Sequence, residues 1–353
     1  MNSVGSIWQK WDLHIHTPAS FHWQGQKFSA QTPAERDTAL AVLARVLHQP
    51  DYAAPVIQRE KARLIAALRE AEADPGDVAD KAFYRVVYGQ HPYAHDERGT
   101  AASIAGLTRQ ELLAFQRRHY SAANAVIALM GDASRAEAEA IAAKLAAGLP
   151  RGPVLPEIPA PQPGKPVVER IAHPSSQSHV LIGAVGMSRA DPDFFPLFVG
   201  NYVLGGGGFD SRLMREVRDR RGYAYSASSY FLPMAQPGPF QLGLQTKTEQ
   251  ADAALKVAED TLRDYLANGP SEAELAQAKS NLIGGFPLRI DSNKKIIEYL
   301  SLIGFYRLPL DYLDSWEAKV GAVGPEAVRD AFRRRLPADG FATVIVGAAA
   351  GGR

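Results

Sequence analysis

Apolar residues recur at helical spacing through much of this chain, and the places where the rhythm changes set out its plan. Val56, Ile57, Leu64, Ile65 and Leu68 predict a helix over about Pro55–Glu72. Similar patterns predict helices from Thr38 to Leu47 and from Val78 to Tyr88. Thr108-Arg-Gln-Glu111, Ser134-Arg-Ala-Glu137 and Ser271-Glu-Ala-Glu274 are capping boxes, in which a hydroxyl and a glutamate satisfy each other's free backbone N–H groups. Short apolar runs predict strands at Ala125–Met130, Val167–Ile171, His179–Met187 and Ala342–Val346. Tyr223–Phe231 and Phe240–Thr246 read as antiparallel neighbours. Further helices are expected at Pro192–Leu204, Ser211–Arg220 (with Asp210 as N-cap), Gln250–Ala267, Glu272–Arg289 and Lys295–Tyr306. Strands and helices interleaved with adjacent strand pairs argue for an α+β fold.

The pattern also repeats. Ile57-Gln-Arg-Glu-Lys-Ala-Arg-Leu-Ile65 aligns with Leu275-Ala-Gln-Ala-Lys-Ser-Asn-Leu-Ile283, and Phe115-Gln-Arg-Arg118 aligns with Phe332-Arg-Arg-Arg335. The strand Ala125–Gly131 aligns with Ala342–Gly347. A nearly constant offset over such a stretch is the mark of a duplicated domain. The second copy is preceded by about a hundred residues of further strand and helix, which the size of a typical domain assigns to the same lobe. The first copy is preceded only by an aromatic-rich, irregular opening. Two homologous lobes are therefore expected, the first truncated at its N-terminal half. The boundaries are residues 1–36 for a foreign or irregular opening and 37–150 for the incomplete lobe. A proline-rich, semi-rigid connector fills 151–165, and the complete lobe fills 166–353.

Composition narrows the chemistry. The 39 lysines and arginines nearly cancel the 38 aspartates and glutamates, so no electrostatic footprint for nucleic acid or an anionic membrane is expected. The absence of cysteine excludes disulfides, thiolate metal sites and cysteine nucleophiles. Nothing approaches a transmembrane run. The opening Met-Asn-Ser-Val-Gly-Ser-Ile-Trp lacks the regions of a signal peptide, so as written the chain starts like a cytoplasmic protein. The run Gly205–Gly208 lacks the lysine-serine ending of a phosphate cradle and reads as a turn between helices.

Several motifs in order carry a resemblance. Val203-Leu-Gly-Gly-Gly-Gly-Phe-Asp-Ser-Arg-Leu-Met-Arg-Glu-Val-Arg-Asp-Arg-Arg-Gly-Tyr-Ala-Tyr-Ser-Ala227 and Gly269-Pro-Ser-Glu-Ala-Glu-Leu275 lie in the second lobe. His91-Pro-Tyr93 and His119-Tyr-Ser-Ala-Ala-Asn-Ala125 lie in the first. Over roughly residues 38–350 the chain resembles the insulinase/pitrilysin family of zinc metallopeptidases, which includes the mitochondrial processing peptidases. The resemblance implies two lobes, each a mixed sheet flanked by helices, facing each other across a substrate chamber. It also implies a helix bearing His-x-x-Glu-His, whose histidines bind zinc while its glutamate activates water, and a downstream glutamate as third ligand. No His-x-x-Glu-His occurs here. His91-Pro-Tyr-Ala-His95 has alanine in place of the base, and Pro92 breaks the helical geometry, so it reads as a loop with two ordinary histidines. Glu60 matches the family's acidic residue before the third ligand, but the ligand position falls on Ala67. Arg218 and Tyr225 match the pair that reaches across to hold the substrate backbone. A guanidinium can bind a peptide carbonyl, and a phenol can donate to a developing oxyanion. The tyrosine assignment rests on family spacing, since Tyr223 and Tyr225 share a strand face.

Trp11-Asp-Leu-His-Ile-His-Thr-Pro-Ala-Ser20, within residues 5–30, resembles the first motif of the PHP-type metal-dependent phosphoesterases, in which both imidazoles bind metal. His14 and His16 would share a strand face, but the family's later ligands are absent. The expected function is a substrate-binding, non-catalytic subunit. It would bind no cofactor alone and would pair as a heterodimer with a catalytic partner that carries His-x-x-Glu-His and the zinc, to hydrolyse peptides. The competing readings are a nonfunctional remnant and a phosphoesterase using His14 and His16. Exported bacterial relatives leave the periplasm open for an intact parent.

Overall fold

The computed structural model describes residues 11–16, 28–30, 33–337 and 340–347, with side chains from residue 34 onward. The first described elements are β1 (Trp11–His16) and β2 (Phe28–Ala30), followed by α1 (Pro33–His48), α2 (Ala54–Ala73) and α3 (Pro75–Tyr88). Then come α4 (Ala101–Gly106), α5 (Arg109–His119), β3 (Val126–Met130) and α6 (Arg135–Ala147). Residues 151–165 carry no helix or strand, as their prolines dictate. Beyond them lie β4 (Val167–Ala172), β5 (Gln177–Val185), α7 (Phe194–Asn201), β6 (Ala224–Phe231) and β7 (Pro239–Lys247). The rest is α8 (Ala251–Asn268), α9 (Glu272–Gly285), α10 (Asn293–Tyr306), α11 (Trp316–Gly321), α12 (Pro325–Arg335) and β8 (Ala342–Gly347).

Two compact units result. One comprises residues 1–64, 101–157 and 285–313, the other residues 65–100, 158–284 and 314–353. In the first unit, β2-β1-β3 form an antiparallel sheet, with the backbone of His14 opposite Ala128 and that of His16 opposite Val126. Leu40, Leu43 and Leu47 of α1 close on Ile141 and Leu145 of α6 and on the flank of β3. Both capping boxes predicted here form: Thr108 and Glu111 exchange bonds at the start of α5, and Ser134 and Glu137 do so at α6. Changing Ser134 to alanine should cost about 1 kcal/mol, the usual worth of an N-cap hydroxyl. A urea titration of the full chain checks this, and an unchanged midpoint would show that the cap contributes nothing.

The second unit is built on a five-stranded mixed sheet, β4-β8-β5-β7-β6, with β4 parallel to β8 and every other pair antiparallel. Helices α7, α8 and α12 cover one face. The opposite face takes α3, which Asp74 starts by accepting from the Asp77 N–H, with Pro75 fitting the first turn. Ala79, Ala82, Phe83 and Val87 recur at helical spacing and seat α3 on Leu181, Val344 and Val346. Phe83 lies over Gly183 of β5, where an added Cβ would come within 2.6 Å of the ring and 2.1 Å of the Phe240 carbonyl. Only glycine lets the ring and the neighbouring backbone approach so closely.

The repeated segments fall on matching elements. Phe115 lies on α5 ahead of β3, and Phe332 lies on α12 ahead of β8. Their surroundings differ: Phe332 is fully buried, whereas Phe115 is 49% exposed. Among the described residues no helix is long and apolar enough to cross a membrane.

Candidate functional site

Arg218 stands on a widened helical segment, Met214–Asp219, whose hydrogen bonds reach five residues back, as from the Arg220 N–H to the Arg215 carbonyl. Sequence favoured an ordinary helix from Ser211 to Arg220 with Asp210 as N-cap. The cap belongs instead to Ser211, whose hydroxyl accepts from the Met214 N–H and donates to the Gly208 carbonyl. A second widened segment, Tyr202–Gly206, ends α7 and holds the first two glycines of the run Gly205–Gly208. Gly208, at φ +62°, then turns the chain into a short tight helix, Gly208–Asp210. The run is a turn between helices.

The Arg218 guanidinium lies 4.9 Å from the centre of the Phe209 ring and bonds Asp219 Oδ1 at 3.1 Å. Gly222, in the left-handed region at φ +66°, donates to the Arg218 carbonyl and swings the chain into β6, and the Tyr223 N–H closes the turn on the Val217 carbonyl. The next feature is a register shift. Ala224 pairs with Thr246 but Ala227 pairs with Leu244, so Tyr225 and Ser226 together oppose Gln245 in a bulge. The two tyrosines differ in exposure. Tyr225 is 89% exposed, while Tyr223 is half-buried ahead of the strand. A core role for Tyr225 is thereby removed.

Strand β6 is an edge of the sheet, yet part of its hydrogen-bonding capacity is spent locally. The Ala227 N–H donates to Met214 Sδ at 3.3 Å, and the Ser229 carbonyl accepts from Asn201 Nδ2 at 2.8 Å. The segment carrying Arg218 is anchored one turn earlier by Arg212. That guanidinium grips Glu274 with Nε at 2.9 Å and Nη2 at 2.7 Å, reaches the Gly269 carbonyl and Asp264, and stacks 5.1 Å from the centre of the Tyr265 ring. Glu274 also takes the Ser271 N–H in the predicted capping box, together with Arg215. Burial alone would raise its carboxyl, but these donors outweigh it and hold it at about 2. Apart from the capping box, no sequence motif marks this anchor.

The positions where the family implies zinc do not fit the metal. Ala67 is an exposed methyl on α2, and Glu60 is tied to Arg59 at 3.0 Å and Arg63 at 2.7 Å, which hold its carboxyl below the ordinary range. His91 and His95 flank a single tight turn, Pro92–Ala94. The His91 ring engages the Tyr93 N–H through Nδ1 and the Pro159 carbonyl through Nε2. Among the described residues no group of three or more histidines and carboxylates is placed to hold a metal. The side chains of His14 and His16 lie outside the described residues.

Residues 106–282 match the family model described as the Peptidase M16 inactive domain. The solved structure of a peptidase M16 inactive domain from Pseudomonas fluorescens is similar with a TM-score of 0.89 and 36% identity, over 97% of this chain and 82% of that one. An uncharacterized zinc protease of Streptomyces coelicolor is 27% identical over 278 residues, 76% of this chain and 60% of the relative. One from Mycobacterium tuberculosis is 28% identical over 297 residues, 83% of this chain and 66% of the relative. The chain thus spans 60–66% of the length of these curated relatives. A protease from Helicobacter pylori, with 18% identity and a TM-score of 0.80 over 91% of this chain and 78% of that one, shares the fold.

Proposed function

The chain belongs to the M16, or insulinase-type, peptidase family in its inactive-domain form, and from that premise we propose that it is a substrate-gripping subunit working beside a zinc-bearing partner. The observation that carries this reading is that Tyr225 stands in solvent at the bulge opening β6 and Arg218 lies on the helical segment leading into it, while Ala67 at the third-ligand position cannot bind a metal. A peptide laid there would have one carbonyl bound by the guanidinium and another by the phenol. The engaged Ala227 N–H and Ser229 carbonyl compete with an added strand along β6. The two side chains, rather than a backbone ladder, would therefore supply most of the hold. Zinc and the activated water would come from the partner's His-x-x-Glu-His helix.

The test is reconstitution with a catalytic relative that bears His-x-x-Glu-His. Adding this chain should raise the rate of peptide hydrolysis. Arg218→Ala should reduce that gain about ten- to a hundredfold, the worth of a charged hydrogen bond. No gain on mixing, or a gain indifferent to Arg218→Ala, would end the proposal.

A further inference from the structure

At one margin of the contact between α3 and the sheet, the seam turns from apolar to polar. Asp80 and Tyr84 lie one turn apart on α3, on the same face. They meet Tyr230 of β6 and Gln241 of β7, which are direct cross-strand partners. Gln241 forms the floor: only 4% exposed, it donates through Nε2 to Asp80 Oδ1 at 3.4 Å, and its buried Oε1 has no hydrogen-bond partner among the described residues. Asp80 and the 42%-exposed Tyr230 form the open wall, with Tyr84 half-buried between them and stacked on Tyr88. Burial, followed by neighbouring negative charge, raises the Tyr230 phenol to about 12, so it stays neutral.

Burial raises the Asp80 carboxyl, and the nearby His179 and Arg98 oppose that rise, though each has a partner of its own. Arg98 is bound by Asp77 at 2.9 Å and by Asp96 at 3.1 Å, and the His179 ring meets the Gln245 amide at 3.1 Å. What remains open to a ligand is the Asp80 carboxylate, walled by two aromatic rings above the buried Gln241. An anion is repelled there, and an apolar group would strip water from Asp80 without replacing it. A cation with N–H donors can pair with the carboxylate and lie against the rings.

We propose that this seam binds an organic cation, an ammonium or guanidinium group, paired with Asp80 and flanked by Tyr84 and Tyr230. Two sources share that chemistry. One is a basic side chain of a peptide, and that source rests on the peptide-gripping role proposed above. The bulge turns Tyr225 and Ser226 toward the same sheet face as Ser228 and Tyr230. Across the bulge Tyr225 lies opposite Gln245 and Tyr230 opposite Gln241, four residues or roughly 13 Å of strand, so the basic residue should fall about four positions from the carbonyl held at Tyr225. The other source is a free amine.

Calorimetric titration of the full chain separates these sources. The probes are agmatine and two alanine-based peptides that differ only in one lysine or norleucine. Asp80→Asn keeps the shape of the site and removes its charge. The lysine peptide should bind about tenfold more tightly than the norleucine peptide, and Asp80→Asn should erase the difference while leaving the norleucine peptide unaffected. If the peptides bind alike but agmatine binds and is lost in Asp80→Asn, the free amine is the ligand. Agmatine binding with no peptide binding at all would keep the cation site and remove the gripping role. Peptides that bind alike, with no agmatine binding, would overturn the cation site and leave the gripping role intact. If no probe binds, both fall.

Discussion

Replacing Phe83 with alanine is expected to destabilise the second unit by about 3–5 kcal/mol, the range for emptying a large aromatic site in a core. Phe83 is fully buried and is the largest apolar side chain that α3 lays on the sheet. Its ring sits over Gly183, in the same apolar cluster as Leu181, Met234 and Val344. Gly183→Ala tests the same contact from the other side. The new methyl would meet the Phe240 carbonyl at 2.1 Å, and because that atom is backbone the strand itself must shift. Both variants should lower the midpoint of chemical unfolding and expose α3 to trypsin at Lys81 and Arg85. A midpoint unchanged in both would mean that α3 is not part of the cooperative core. The cation seam depends on the same docking, so Phe83→Ala should also weaken binding at Asp80 although the two side chains do different work.

Much of this architecture was legible in the sequence because local rules and tertiary packing agree there. The three capping boxes form where a hydroxyl precedes glutamate by three residues, since that signal is complete within one turn. The antiparallel pairing of β6 and β7 follows from two strand-like segments separated by a proline- and glycine-bearing turn. The α+β class and the family were legible too, because the motif Val203–Ala227 concentrates several exacting backbone demands in one stretch. Less visible was the shape of that stretch. Hydrophobic spacing at 3.6 residues per turn does not distinguish a helix from its widened form, so the segments at Tyr202–Gly206 and Met214–Asp219 appeared only in the structure. The bulge at Tyr225 was hidden for the same reason. A strand's alternation predicts Tyr223 and Tyr225 on one face, and it takes the register against β7 to show which one stands in solvent. Sequence order likewise placed α3 before the connector, in the stretch 37–150, whereas residues 65–100 group with the second compact unit. The apolar stripe on α3 announced that a face would be buried but not which sheet would bury it.

The second large effect is expected at Arg212. Arg212→Ala should cost about 2–4 kcal/mol, since it breaks a largely buried pair and leaves Glu274 with Arg215 and the N–H and hydroxyl of Ser271. The pH dependence identifies the cause. Glu274 is held at about 2 in the folded chain, below its ordinary 4.5, so its contribution is fully present above about pH 4.5 and disappears as pH falls toward 2. A shift of that size would correspond to about 3 kcal/mol without screening, and to about 1–2 kcal/mol once the partial exposure of the pair is allowed for. Urea midpoints measured between pH 5 and pH 2.5 should therefore fall in the wild-type chain and fall less steeply in Arg212→Ala, which has already lost the main donor. Parallel acid profiles would mean that Glu274 is not what holds this corner. The consequence for the site follows from chain connectivity. Arg212 is fastened to the α8–α9 turn through Gly269 and Glu274, and the segment it anchors runs directly into Arg218. Lysine at this position keeps the charge but cannot make the two-pronged contact, so Arg212→Lys should recover part of the stability and little of the geometry. In the reconstituted assay, Arg212→Lys should then lose rate enhancement under conditions where it remains fully folded, separating the placement of Arg218 from stability alone.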